Sequence, residues 1–470
     1  KVVSELRKAV KAADEVWLAT DEDREGEAIA WHLCDVLKLN PETTKRIVFH
    51  EITKSAIENA IKNPRKIDMK MVEAQQTRQT LDWLVGFDLS PVVWRKVPGG
   101  KSAGRVQSPA VKLLVERERE IEKFGAKSSF KITGEFIVPN SGEILKAELN
   151  KKFETEKAAT DFLENLKTAS FKVASVSKTP GTRNPSAPFT TSTLQQEANA
   201  RLGFSAKSTM AAAQKLYQSG KITYMRTDSV NLSSFAIASS ADFIKKKFGE
   251  KYHKARKFAI KSAGAQEAHE AIRPTGIENE KVSTSQDLQK IYTLIRNRTL
   301  ASQMAPAQIE KTTVKIEISN QEYYFEAKGE VVVFDGFLKV YSSSKKDEFL
   351  PELANGDSLN FNEIIAKEVF SRPPARYSEG SLVKKLEDLG IGRPSTYATI
   401  LDTIQARGYA AKGEGEGKPR DAIQISLSKN EINREIVQEK TGSTKGKLLP
   451  TASGEVLSDF LNDYFNQVVD

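Results

Sequence analysis

Thr20-Asp21-Glu22-Asp23-Arg24-Glu25-Gly26-Glu27 stands between an apolar run at 15–20 and an amphipathic run at 25–39. The first run predicts a short strand and the second a helix, so the acids sit where a strand ends and a helix begins. Open α/β sheets place ligand sites there, outside the carboxyl ends of their strands. Asp21, Asp23 and Glu25 alternate, and in extended chain they point the same way. Three carboxylates on one side repel each other unless a cation neutralises them. Hard oxygen donors, few in number, suit Mg²⁺, which keeps waters and shares a substrate's phosphate oxygens. The competing reading is a solvated acidic turn, since acids favour a helix N-terminus. The apolar strand ahead of the turn and Gly26 within it favour the metal site.

Outward from this turn, a helix at 2–13, the strand at 15–20, helix 25–39, a short strand at 46–50 and helix 54–62 alternate. Such alternation predicts an α/β unit. Helical spacing continues at 71–87 and 106–124, broken by Pro98-Gly99-Gly100. Strands are expected at 130–138, 143–149 and 171–176 around a helix at 155–167. A Pro-rich crossing at 178–188 is expected to continue neither strand nor helix. Helices fill 190–306, and strands return at 312–318, 322–328 and 337–341. A second Pro-rich crossing at 372–376 leads into a helical stretch to the end, with 412–419 as a solvated hairpin or loop. The order β, helical, β, helical describes a helical domain inserted into a β domain, so the fold class is a multidomain chain of α/β, α and β parts.

The 470 residues carry a net charge of +9, which suits a polyanionic partner, nucleic acid above all. The single cysteine, Cys34, excludes a disulfide framework within the chain and a cysteine zinc site. A reducing compartment, the cytoplasm, is expected. No apolar run reaches the roughly 20 residues of a membrane helix. The first residues resemble a helix already under way rather than a signal peptide.

Tyr224-Met225-Arg226-Thr227-Asp228-Ser229 follows a predicted helix and is extended in character. Tyr224 and Arg226, two apart, share a face there. A free phenol, with a pKa of about 10, is a poor nucleophile at neutral pH. A guanidinium beside it favours the phenolate and can hold a phosphate, which is what attack on a phosphodiester needs. The alternative is a core tyrosine beside an Arg226–Asp228 pair. His269 and Arg273 stand four apart, on one face of a predicted helix that Pro274 ends, as a phosphate contact or as an exposed helix end. Lys101–Ser108 and Gly390–Tyr397 each open a helix with glycines, hydroxyls and an arginine, an arrangement suited to anions and equally to a plain helix cap.

Taken together and in order, these segments resemble the bacterial type IA DNA topoisomerase family. The acidic turn at 19–27 is similar to the metal-binding motif of Toprim domains, which primases and some nucleases share. The stretch 224–229 resembles the family's nucleophile motif. Segments 74–78, 102–107, 268–274, 372–377 and 390–397 also match, so the likeness spans nearly the whole chain. Met225 and the Arg393–Tyr397 stretch resemble the topoisomerase I branch.

The resemblance implies a four-domain torus: a Toprim domain at 1–67 without its first strand; a helical DNA-binding domain at 68–127 and 376–470; a β-rich arm at 128–184 and 308–375; and an inserted helical domain at 185–307 that carries the nucleophile. It implies that Tyr224 attacks a phosphodiester and becomes joined to the 5′ phosphate, with Arg226 steadying the charge. Asp21, Asp23 and Glu25 would hold Mg²⁺. Single-stranded DNA would lie against Arg78, Asp82, Ser102, Ala103, Gly104, Arg105, Val106, Gln107, Arg393 and Thr396, with His50, Thr53, Arg65, His269 and Arg273 near the cut. ATP would not be needed, negatively supercoiled DNA would be relaxed, and a monomer in the cytoplasm, at the nucleoid, is expected. The family's first strand brings a glutamate near the metal and a lysine near the cut phosphate, so this chain alone is expected to bind DNA and cleave weakly or not at all. Two rivals remain. A Toprim nuclease or primase would leave Tyr224 idle, and a non-catalytic strand binder would leave the carboxylates idle.

Overall fold

The computed structural model describes residues 1–139, 141–259, 270–342 and 347–469. The first unit holds α1 (Val2–Ala12), β1 (Trp17–Leu18), α2 (Arg24–Leu37), β2 (Lys45–Arg46) and α3 (Lys54–Lys62). β1 and β2 pair in parallel, Leu18 opposite Arg46. Leu18, Ala30, Cys34, Ile67 and Val72 form its small core. α4 (Met69–Lys96) and α5 (Gln107–Glu122) follow. Asp68 starts α4 by accepting the amides of Lys70 and Met71, at 3.0 and 3.2 Å.

The arm is built from β3 (Ser128–Ile137), β4 (Ile144–Phe153), α6 (Glu156–Leu166) and β5 (Phe171–Arg183). The chain then leaves it for α7 (Thr191–Leu202), α8 (Ala206–Gln218), α9 (Ser234–Phe248) and α10 (Gln286–Ser302), and returns through β6 (Ala307–Ile318), β7 (Tyr324–Phe334) and β8 (Ser358–Phe370). Strands β8, β3, β4, β7, β6 and β5 pair in that order, and β5 meets β8 again at Phe171–Leu359. The antiparallel ladder thus closes on itself, which removes most of its free edge. Phe136, Phe171 and Phe325 stack edge-on inside it. The helices inserted between β5 and β6 have their own core, which includes Leu194, Leu216, Tyr217, Tyr224 and Ile295.

After β8 come α11 (Glu379–Asp388), α12 (Tyr397–Ala406), β9 (Ala410–Lys412), β10 (Lys418–Ser428), β11 (Glu431–Thr441), β12 (Leu448–Pro450), α13 (Ala452–Tyr464) and α14 (Asn466–Val469). These helices pack with α4 and α5 around Val93, Leu114, Leu382, Ile404, Tyr409 and Leu461.

Three local expectations change. The stretch after 376 is not helical throughout: β10 and β11 form a long hairpin whose Ile425 and Leu427 enter the arm's core, with β10 paired to β8. The alternation in Ala422-Ile-Gln-Ile-Ser-Leu carries that strand signal. β5 runs on through Pro180 to Arg183, paired with β6. Its pairing with β8 is confined to Phe171 and Lys172, so among the described residues Pro180 faces no second strand across its other edge. Residues 336–339 form a 3₁₀ turn rather than a strand. Gly336 has φ +49°, which turns the chain under the carbonyl of Ala305.

Candidate active site

The acidic turn is fixed by its own backbone. Asp23 caps α2 by accepting the Gly26 amide at 2.8 Å, and Thr20 Oγ1 donates to the Gly26 carbonyl at 2.6 Å. A Cβ on Gly26 would lie 2.0 Å from the Asp21 carbonyl oxygen, so only glycine lets the turn fold back on the helix. Beneath it lies Arg46, fully buried, whose guanidinium donates to the carbonyls of Thr20, Asp21 and Ile47 at 2.7–2.8 Å. Its charge faces the equally buried Glu27, which also holds Arg65 through two bonds of 2.8 Å and the Asp68 amide at 2.7 Å.

Tyr224 comes from the inserted helical segment, and its ring is buried against Tyr217. Its hydroxyl donates to Asp23 Oδ2 at 2.6 Å, with Asp21 Oδ2 at 3.5 Å. Arg226 Nη1 reaches the same Asp23 oxygen at 3.3 Å. Tyr224 and Arg226 therefore share a face, as their spacing predicts. Burial, then the Asp23 charge, pushes the phenol's pKa far above its ordinary value, and Arg226 only partly opposes this. The phenol is a proton donor in this arrangement, and a phenolate is not preformed. Burial, then the Asp23 charge, also raises the Asp21 carboxyl.

The three acids of the turn divide. Asp21 and Asp23 face the phenol, whereas Glu25, within the first turn of α2, pairs with Arg78 and lies 3.4 Å from Ser395 Oγ. Extended spacing no longer applies once the helix begins at Arg24. Among the described residues no three potential ligands converge. Asp21 and Asp23 nevertheless form a crowded carboxylate pair in which one raises the proton affinity of the other. One or two carboxylates completed by waters and phosphate oxygens are what Mg²⁺ uses, so the pair fits such an ion, with Glu25 beside it.

A polar cavity adjoins the acidic turn, lined by Asp23, Glu25, Arg78, Arg226, Asp228 and Arg393. Arg393 is steadied by the carbonyls of Gly390 and Gly392, and Thr396 Oγ1 accepts the Arg393 amide at 2.8 Å. The glycine-rich loop expected to hold a strand thus meets the acidic turn through Ser395 and Glu25. The other expected loop, Ser102 to Gln107, borders a second, aromatic cavity with Trp83, Phe87 and Trp94. Ala103 is buried, and Gly104 and Val106 shape the turn between. Gln107 donates to Ser102 at 3.1 Å, and Arg105 pairs with Asp82 at 2.9 Å.

Four of the expected contact residues are engaged within the protein. Arg273 is 4% exposed, extended rather than helical, and held by Glu270 and Glu51. β-bridges at Ile272 and Pro274 impose that conformation over any helical spacing. Arg65 is spent on Glu27. Thr53 caps α3 through the Ala56 amide at 3.3 Å. His50 binds Glu22 through Nδ1, and this bond lifts its pKa against the effect of burial. His269 lies outside the described residues.

Sequence reasoning missed Arg46, Glu27, Glu51 and Tyr409. Tyr409, fully buried, accepts the amides of Lys101 and Ser102 at 2.7 and 2.8 Å and donates to the Ser102 carbonyl at 2.9 Å. Its partners lie some 300 positions away, so no local pattern reveals it. Tyr409→Phe strands two loop amides and is expected to cost about 1–3 kcal/mol and to weaken binding of a single-stranded oligonucleotide. Denaturant midpoints and fluorescence anisotropy check this, and wild-type values in both would refute it.

Comparison with known sequences and folds follows the same lines. A family described as DNA topoisomerase matches residues 66–422, and the Toprim domain family matches residues 1–52. The DNA topoisomerase 1 of Rickettsia felis is 47% identical over 445 residues, covering 87% of this chain and 57% of that protein. The DNA topoisomerase 1 of Vibrio cholerae is 47% identical over 482 residues, covering 99% of this chain and 55% of that protein. The chain therefore spans little more than half the length of these relatives. The solved structure of full-length topoisomerase I from Thermotoga maritima superposes with a TM-score of 0.81 at 37% identity, covering all of this chain and 74% of that one.

Proposed function

Given that the chain belongs to the type IA DNA topoisomerase family, we propose that it carries the strand-cutting site of an ATP-independent enzyme that relaxes negatively supercoiled DNA. The observation that carries this reading is the Tyr224 hydroxyl 2.6 Å from Asp23 Oδ2, with Arg226 on the same carboxylate. One unit supplies the phenol and guanidinium and another the acids, so a strand held between them can be cut and then parted by moving one unit.

Tyr224 Oη attacks the phosphorus of a single strand. The new O–P bond joins the 5′ phosphate to the tyrosine, and the 3′ oxygen of the other fragment leaves. The phenol's proton passes to Asp23 Oδ2, its hydrogen-bond partner, and from there the leaving 3′ oxygen takes it. Arg226 offsets the charge that builds on the phosphate oxygens. Arg78 and Arg393, on the cavity wall, bind the strand's phosphates, and the exposed rings of Trp83, Phe87 and Trp94 offer stacking surfaces to bases. Asp21 and Asp23, with Glu25 beside them, would hold Mg²⁺, which when bound offsets their mutual repulsion and the charge of the phosphate. Resealing reverses the attack. The phosphotyrosine conserves the bond energy, so no ATP is consumed. The four packed cores correspond to a Toprim domain, a helical DNA-binding domain, an arm and an inserted domain, acting as a monomer in the cytoplasm. Among the described residues no helix is long and apolar enough to cross a membrane.

A single-stranded oligonucleotide labelled at its 3′ end, quenched with denaturant, tests the reading on a version of the chain that carries the family's first Toprim strand. The expected adduct keeps the 3′ label, and plasmid relaxation proceeds without ATP and stops on chelation of Mg²⁺. An adduct that keeps a 5′ label instead, or relaxation that needs ATP, would overturn it.

A further inference from the structure

Segment 50–52 of the first unit and segment 220–224 of the inserted unit meet closely. The Tyr224 amide donates to the His50 carbonyl at 2.8 Å. Gly220, at φ +68°, comes so near that a Cβ would lie 2.5 Å from the Ile52 carbonyl oxygen. Besides Arg226 on Asp23, a second charged contact joins the two units here: Arg273 Nη2 lies 2.8 Å from Glu51 Oε2, with both side chains largely buried. Arg273 is bolted to the nucleophile's own backbone, because its amide donates to Thr223 Oγ1 at 2.9 Å and its carbonyl accepts the Thr223 amide at 2.9 Å.

We propose that Glu51 is a positioning residue that latches the closed gate: through Arg273 it draws the Thr223–Tyr224 segment onto the acidic turn. The inference rests on the reading above, in which the two units part during each cycle. Its physical basis is how the charges are shared. Arg273 holds two carboxylates, and only Glu51 lies across the interface. Glu270, three residues from Arg273, binds it through Nε at 2.9 Å and Nη2 at 2.7 Å. When the units separate, Glu270 keeps the guanidinium neutralised, while Glu51 keeps its bond from Thr53 Oγ1 at 3.0 Å and gains water. A buried ion pair that loses its only partner strands a charge at high cost. Here the arginine is never stranded, so the contact can be made and broken in every cycle.

Glu51→Gln keeps the side chain's shape and its acceptor for Thr53 but removes the charge. Dyes on cysteines placed at the exposed positions Lys62 and Lys246, one on each unit, report separation, since the sole native cysteine, Cys34, is buried. Denaturant-trapped adduct on a single-stranded oligonucleotide reports the balance of cutting and resealing. The expected result is an open fraction and an adduct level about fivefold above wild type at low salt, converging with wild type at high salt, with an unchanged melting temperature. A merely structural glutamate would instead lower melting temperature and adduct together, which counts against the latch. Equal open fractions in Glu51→Gln and wild type overturn it. Should that variant unfold, Glu51→Asp, which withdraws the charge from Arg273, must open the gate in its place. If a version carrying the family's first Toprim strand forms no adduct with Glu51 intact, the nucleophile reading fails, and the dyes still decide the latch.

Discussion

In a version carrying the family's first Toprim strand, Tyr224→Phe is expected to abolish the covalent DNA adduct, lowering it by at least about a thousandfold, while single-strand affinity stays near that of the same version with Tyr224 intact. The ring remains against Tyr217, and the variant loses one oxygen. That oxygen donates to Asp23, with Asp21 farther away at 3.5 Å. Asp23 keeps the Gly26 amide and Arg226 as partners, so the loss strands no buried charge. The stability change should stay within about 1.5–3 kcal/mol, the worth of a hydrogen bond to a charged group. Adduct on denaturing gels, anisotropy and the melting temperature separate the three effects. A Toprim nuclease would behave otherwise, and strand scission by Tyr224→Phe at the wild-type rate would sink the phosphotyrosine mechanism.

Arg46→Ala is expected to be the most destabilising single change near the site, by about 3–5 kcal/mol, because it breaks a buried ion pair on one side only. Glu27 would lose one of its two arginines while remaining fully buried. The carbonyls of Thr20, Asp21 and Ile47 would lose their donor, and the turn bearing Asp21 and Asp23 would loosen. The same pair sets a pH signature. Burial pushes the Glu27 carboxyl up, but Arg65, the Asp68 amide and the Arg46 charge hold it below its ordinary value. A depressed carboxylate stabilises the fold above its unfolded pKa, about 4.3, and that contribution is lost as pH falls through the folded value. Arg46→Ala should therefore move the acid-unfolding limb to higher pH. Denaturant titrations at neutral and acid pH measure both effects, and a loss under about 1 kcal/mol would show that Arg65 alone suffices for Glu27.

The lesson of the acidic turn is how far local pattern reaches. Its strand-to-helix setting, the caps of the following helices and the pairing of Tyr224 with Arg226 are properties of neighbours in sequence, and each is visible as a spacing. The reading of Arg273 as helical failed because Phe189 and Ile222, distant in sequence, bridge to Ile272 and Pro274 and hold the segment extended. The hairpin at 418–441 has plain alternation, but its role is set by β8, more than 50 positions away.

By itself the sequence determined the order of α/β, β and inserted helical parts, the strand-to-helix setting of the acids and the shared face of Tyr224 and Arg226, because periodicity and glycine placement act over a few positions. Only the tertiary structure decided that Asp23, rather than all three acids, receives the phenol's hydrogen bond, that Glu25 turns to Arg78, and that Arg46, Glu51 and Tyr409 hold the site in place. Those choices depend on burial and on partners tens to hundreds of residues apart, where the cost of an unpaired charge or amide, and not any local spacing, selects the contact.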